Sequence, residues 1–143
     1  MRGSAAYLLA FPRAYVGAAV VFAGLDFVWL SATNASLYRP TLAPILAAEV
    51  RLVPAVAFYL VYLAGLTVFA IRPALAGGGW RTALILGGLF GFFAYATYDL
   101  TNQATLAVWA TRITLMDLAW GVTVSALGAA AGYFAATLPR SKA

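Results

Sequence analysis

The stretch LVPAVAFYLVYLAGLTVFAI, residues 52–71, contains no charged side chain and lies between Arg51 and Arg72. An α-helix rises about 1.5 Å per residue, so this stretch is long enough to cross the roughly 30 Å hydrocarbon core of a bilayer. Pro54 falls in the first turn of the expected helix, where a missing backbone N–H costs no hydrogen bond. Residues 52–71 therefore predict a transmembrane helix.

The rest of the chain repeats this pattern. Further apolar stretches cover residues 14–33, 82–101 and 113–138, and Gly77-Gly78-Gly79 forms a turn between the second and third spans. Of the 143 residues, 64% are hydrophobic and 9% are charged, whereas an average soluble domain has about 25% charged residues. We predict an all-α integral membrane protein that forms one four-helix bundle over residues 1–143.

The chain contains no cysteine and no histidine. Disulfides, cysteine nucleophiles and thiolate metal sites are therefore excluded, and so are the usual ligands of haem, zinc and iron. We expect no cofactor and no metal. Whether the protein is an enzyme stays open, with binding favoured over turnover. The net charge of +5 suits the ends of membrane spans, so we expect no nucleic-acid partner.

The cations are unequally distributed between the two sides of the predicted bundle. Six share the side of both termini, and three lie on the opposite side: Arg2, Arg13, Arg72, Arg81, Arg140 and Lys142 against Arg39, Arg51 and Arg112. Lys and Arg are retained on the cytoplasmic side of membrane proteins. We therefore expect both termini in the cytoplasm and a multi-pass location in a bacterial inner (plasma) membrane.

Three aspartates from three spans converge at one depth. Counted from the arginines that precede each span, Asp26 lies about 10 Å below the outer surface, Asp99 near the outer edge and Asp117 about 7 Å below it. A charge in hydrocarbon costs about 2.5 to 3.5 kcal/mol, so such groups face the bundle interior, pair or stay protonated. Four charged residues of the outer connections are close enough to join them: Arg39, Glu49, Arg51 and Arg112.

Polar and aromatic side chains accompany the aspartates at helical spacing. In the third span the spacing i, i+3, i+4 and i+7 places a polar stripe on one face, and in the first and fourth spans a tryptophan follows each aspartate by three residues. The predicted site comprises Asp26, Trp29, Arg39, Arg51, Tyr95, Tyr98, Asp99, Asn102, Arg112, Asp117 and Trp120.

Small residues recur at three- or four-residue spacing in the third and fourth spans. Such seams let membrane helices approach closely, so we interpret this set as packing: Gly87 and Gly91, then Gly121, Ser125, Gly128 and Gly132.

The string GFFAYATYDLTN, residues 91–102, together with DLAWG, residues 117–121, resembles the family called domain of unknown function 2177. The first span, with Asp26 and Trp29, and the following Tyr38-Arg39-Pro40 are similar to the opening segment of that family. The resemblance covers most of the chain. It implies a small bacterial membrane protein with four spans, and it brings no established activity that would assign a role to any residue.

Three interpretations of the polar cluster stay open. In the first, the aspartates simply lock the helices together by pairing with arginines or by accepting hydrogen bonds from tyrosine and tryptophan. In the second, the cluster lines a site for the head group of a lipid or other amphiphile, where arginine suits a phosphate or carboxylate. The alternative function is a non-catalytic accessory or assembly subunit of a larger membrane complex, while a transporter would need a dimer. The expected partners are membrane lipids, with a homo-oligomer or a larger complex left open.

Overall fold

The computed structural model describes residues 2–139, and the side chains of residues 10–139. Five α-helices follow one another, and no strand occurs in this part of the chain. They are α1 (Arg2–Thr33), α2 (Arg39–Leu42), α3 (Leu52–Leu66), α4 (Gly79–Thr105) and α5 (Thr111–Thr137). A π-helical turn, Asn34–Tyr38, joins α1 to α2, and two more, Thr67–Ile71 and Ala74–Gly78, follow α3.

Three helical segments among the described residues have the length and hydropathy needed to cross a bilayer: Ala10–Ile45, Leu52–Thr105 and Thr111–Thr137. The middle segment contains two glycines with positive φ, Gly77 at +124° and Gly79 at +77°. Residues with a Cβ atom rarely adopt this conformation, which explains why glycine stands where the backbone leaves the helix. The turn expected at the three glycines is therefore present.

Aromatic contacts show how the two arms around this turn are arranged. The ring of Phe90 in α4 lies 5.1 Å from the ring of Tyr62 and 6.2 Å from that of Phe69, on the other arm. Tyr62 also meets Tyr95 edge-on at 6.3 Å. Residues on both sides of the turn thus lie side by side, so α3 and α4 form a helical hairpin.

Helix α5 occupies the centre of the structure. Half of its most apolar segment is buried (50%), compared with 17% and 22% for the other two long segments. Phe22 of α1, Leu66 of α3 and Val124 of α5 are fully buried in one hydrophobic core. A Cβ atom on Gly91 would collide with the carbonyl group of Gly121. The backbones of α4 and α5 therefore approach as closely as a small-residue seam allows.

Helix α1 differs from the predicted span at its beginning. It starts at Arg2 and continues through Pro12, whereas the apolar stretch was expected to start at residue 14. Hydrogen bonding along the backbone does not stop where the side chains become less apolar, so helix ends and hydrocarbon limits need not coincide. The cationic ends Arg140 and Lys142 lie outside the described residues.

Candidate functional site

Asp26 lies on α1 and is almost completely buried, with 7% of its surface exposed. Its Oδ2 accepts a hydrogen bond of 2.5 Å from the hydroxyl of Tyr59 in α3. Its Oδ1 accepts one of 3.2 Å from Nε1 of Trp120 in α5. Two donors from two other helices thus satisfy both carboxylate oxygens, which is the condition for holding a carboxylate away from water.

Two tryptophans connect this carboxylate to a second one. The rings of Trp29 and Trp120 stack with centroids 4.6 Å apart and planes 6° apart. Nε1 of Trp29 donates a hydrogen bond of 2.9 Å to the hydroxyl of Tyr38, and that hydroxyl donates to Oδ1 of Asp117. The π-helical turn that ends at Tyr38 carries this side chain back to α5. Such turns are frequent at functional sites.

Asp117 of α5 and Asp99 of α4 lie next to each other between the two antiparallel helices, because the ring of Tyr95 packs on Gly121 and each aspartate lies one helical turn beyond that contact in the same direction. Asp117 is 7% exposed and Asp99 is completely buried (0%). No N–H or O–H group among the described residues donates to either oxygen of Asp99. The neighbouring polar group is the carboxyl group of Asp117, and two carboxyl groups can share a hydrogen bond only when one of them carries a proton. We call Asp26, Asp99 and Asp117, with their donors Tyr38, Tyr59 and Trp120, the aspartate network.

The arginines of the predicted site stand apart from this network. Arg39, Arg51 and Arg112 are exposed, and the donors to Asp26 and Asp117 within the described part of the chain are tyrosines and a tryptophan. Removing a guanidinium group from water is costly, and its long side chain keeps it near the surface. The structure therefore brings the three aspartates and two tryptophans together without the three cations.

The polar stripe predicted on the third span is divided between two environments. Asp99 is buried against α5, whereas Tyr98 is 60% exposed and packs against Trp109 at 5.9 Å. Asn102 is partly buried, and its backbone carbonyl oxygen accepts a hydrogen bond of 2.8 Å from the backbone N–H of Leu106 at the end of α4. A stripe of this width is wider than the contact with a single neighbouring helix, so one edge of it is buried against α5 and the other is exposed.

A groove of about 420 Å³ lies between α3 and α4. It is lined by Phe58, Tyr62, Ala94, Tyr95 and Tyr98, and we call it the aromatic groove. The hydroxyl of Tyr62 is hydrogen-bonded to that of Ser125 at 2.7 Å. Tyr95 forms part of the wall, and its ring also packs on Gly121 of α5, one turn from the buried Asp117. One side chain therefore belongs both to the groove and to the surroundings of the aspartate network.

Several residues of the site were missed by the sequence reasoning. Tyr59 and Tyr62 carry the only hydrogen-bonding side chains of the apolar stretch Leu52–Leu66, and this isolation was a usable signal. A phenol in hydrocarbon needs an acceptor. Tyr38 and Ser125 gave no such signal, since one adjoins a polar connection and the other fits a packing seam.

The chain was compared with known proteins at the level of families, curated sequences and solved structures. A family model described as "Predicted membrane protein (DUF2177)" matches residues 11–134. Comparison with curated proteins and with solved structures gives no match. The match includes every residue of the aspartate network and of the aromatic groove.

Proposed function

Since the chain belongs to the DUF2177 family of predicted membrane proteins, we propose that it is an integral protein of a bacterial inner membrane that binds a lipid or another amphiphile. The apolar part of the ligand occupies the aromatic groove, and its polar head lies near Tyr95. The observation that carries this proposal is the double position of Tyr95, whose ring lines the groove and packs on Gly121 of α5, one turn from the buried Asp117.

The size and lining of the groove support an amphiphile as the ligand. Its volume of about 420 Å³ falls in the range of small-molecule sites, about 300 to 1,000 Å³, which are mostly apolar with a few polar groups. Because Asp99 follows Tyr95 by one turn of α4, Asp117 lies one turn from its contact with Gly121, and the predicted arginines are exposed, an anionic head would be repelled. The head group that fits carries hydroxyl or amine donors.

We further propose that the chain crosses the membrane four times, with both termini in the cytoplasm. A straight helix over Leu52–Thr105, 54 residues long, would measure about 80 Å, well over twice the bilayer core. The hairpin at Gly77 and Gly79 divides this segment into two arms of spanning length. The excess of arginine and lysine beside the termini and the hairpin turn favours a cytoplasmic position for that side.

This topology is testable with single cysteines, because the natural chain has none. Ala76→Cys lies at the hairpin turn and Ala107→Cys between α4 and α5, and both positions are exposed. We expect a membrane-impermeant maleimide to label Ala107→Cys in cells whose outer membrane has been permeabilised. The same reagent should label Ala76→Cys only after the inner membrane has been permeabilised as well. Labelling of both from the same side would contradict four crossings, and the reverse pattern would contradict the orientation.

Ligand binding is testable by blocking the aromatic groove. In Ala94→Trp the new ring fills the groove without replacing a member of the aspartate network, whereas Ala64→Trp adds the same ring at an exposed position of α3. We expect the wild type and Ala64→Trp, purified in mild detergent, to retain one enriched amphiphile detectable by mass spectrometry. Ala94→Trp should retain at least about tenfold less, which corresponds to about 1.4 kcal/mol of binding free energy.

Recovery of bulk lipid in bulk proportions from all three proteins would contradict the binding proposal. Stable co-purification of another membrane protein in its place would favour the alternative, an accessory subunit of a larger complex. The elution volume in size-exclusion chromatography shows in each case that Ala94→Trp has folded.

A further inference from the structure

We propose that Asp99 and Asp117 together hold a single proton, so that this carboxyl pair between α4 and α5 is a proton-binding site. The inference does not depend on the aromatic groove, because neither aspartate lines it. It depends on three features of the pair, namely its burial, its donors and the charges around it.

The first feature is the isolation of Asp99. Its side chain is completely buried, and both carboxylate oxygens lack a donor among the residues whose side chains the structure describes, 10–139. An ionised carboxylate without donors in an apolar interior is so unfavourable that the group takes up a proton instead. Among the described residues, no backbone N–H of a helix end or loop and no arginine donates a hydrogen bond to Asp99.

The second feature is the difference between the two partners. Asp117 accepts a hydrogen bond from the hydroxyl of Tyr38, which stabilises its ionised form. Its other polar neighbour is the carboxyl group of Asp99 on α4. The arrangement is therefore complete when the protonated carboxyl of Asp99 donates to the carboxylate of Asp117. One proton then satisfies both groups, as in other pairs of adjoining carboxyls that cannot both ionise.

The third feature is the charge of the surroundings. Asp26 of α1 also acts electrostatically on Asp117, and Tyr98 on α4 and Tyr38 before α2 interact with Asp99. These groups are negative or neutral, so none of them replaces the proton as a source of positive charge. Within the described residues, no three acidic side chains are arranged to hold a metal ion. A proton is the cation that this site fits.

Occupancy of the site is linked to the contact between two helices. Loss of the proton would leave two adjoining negative charges, one on α4 and one on α5, with little water to screen them. The backbones of the two helices approach closely at Gly91 and Gly121, two turns from Asp99 and one turn from Asp117. Proton release would therefore favour separation of α4 from α5 at this level.

Infrared spectroscopy of the purified full-length chain tests the proposal, because a protonated carboxyl has a C=O band separate from that of a carboxylate. Aspartate occurs at three positions and glutamate at one, so ¹³C-labelled aspartate identifies the band without any substitution. We expect the wild type at neutral pH to show one acid band that shifts with the label and with D₂O. Its absence from the folded wild type would overturn the proposal.

Two isosteric variants assign the band. Asp99→Asn should abolish it, because the asparagine amide donates to Asp117 and no proton is needed. Asp26→Asn should retain it, because Asp26 is satisfied by Tyr59 and Trp120. Retention of the band in Asp99→Asn together with its loss in Asp26→Asn would place the proton on Asp26 and contradict the pair. The labelling experiment on the wild type tests for a protonated aspartate even if one variant does not fold.

Discussion

Replacing Gly91 with alanine is expected to lower the free energy of unfolding by about 3 kcal/mol, at the upper end of the range for overpacked cores. The added methyl group would collide with the carbonyl group of Gly121 and lie 2.5 Å from the hydroxyl oxygen of Ser125. A backbone carbonyl cannot rotate away as a flexible side chain can, so α4 and α5 must move apart. Thermal or denaturant unfolding in detergent, followed by circular dichroism, measures this effect.

Two other glycines provide matched controls for Gly91→Ala. A methyl group on Gly24 would meet no heavy atom within 4 Å, and on Gly88 the nearest would be 3.5 Å away. Alanine has a higher helix propensity than glycine by up to about 1 kcal/mol, so both variants should be neutral or slightly more stable. If Gly91→Ala proves as stable as Gly24→Ala, the result contradicts a close contact between the backbones of α4 and α5 at Gly91.

Replacing Trp120 with alanine is expected to be at least as damaging, at about 3 to 5 kcal/mol. The variant loses the stack on Trp29, the donor to Asp26 and the volume of a large ring in one step. Trp120→Phe keeps an aromatic ring against Trp29 and loses the donor, so about 1 to 3 kcal/mol is expected from the unsatisfied carboxylate oxygen. The same unfolding measurement in detergent ranks the wild type, Trp120→Phe and Trp120→Ala by their free energy of unfolding.

Trp80→Ala is the control for Trp120→Ala. Trp80 is 45% exposed, and its ring contacts the guanidinium group of Arg81 at 5.5 Å. An exposed cation–π contact contributes about 0.5 to 1 kcal/mol, so little stability should be lost. Equal losses in Trp80→Ala and Trp120→Ala would show that the tryptophan stack does not hold the aspartate network together.

The membrane character of the chain and much of its helical structure follow from local properties of the sequence. The glycine turn after Ile71 and the small residues between α4 and α5 were predicted from spacing, and the structure has them at these positions. Burial of Asp26, Asp99 and Asp117 also followed from the cost of charge in hydrocarbon. Each of these inferences needs only the order of residues and a free-energy cost per group.

The hydrogen-bond donors to the aspartates could not be predicted from such local properties of the sequence. Depth along a helix follows from the rise per residue, but the donors Tyr38 and Tyr59 come from other segments. Which segments meet depends on the rotation of each helix about its axis and on the π-helical turn at Tyr38. The nearby arginines have the right charge and the right depth, yet they stay exposed because hydration of a guanidinium group outweighs a distant ion pair.

By itself, the sequence determined that this chain is an all-helical membrane protein with three aspartates turned away from lipid, because hydropathy and the cost of burying charge act residue by residue. The tertiary structure alone decided that Asp99 adjoins Asp117, that Asp26 is held by Tyr59 and Trp120, and that an aromatic groove opens beside Tyr95. These features arise from packing between helices distant in the chain, and side-chain contacts of that kind have no local signature in sequence.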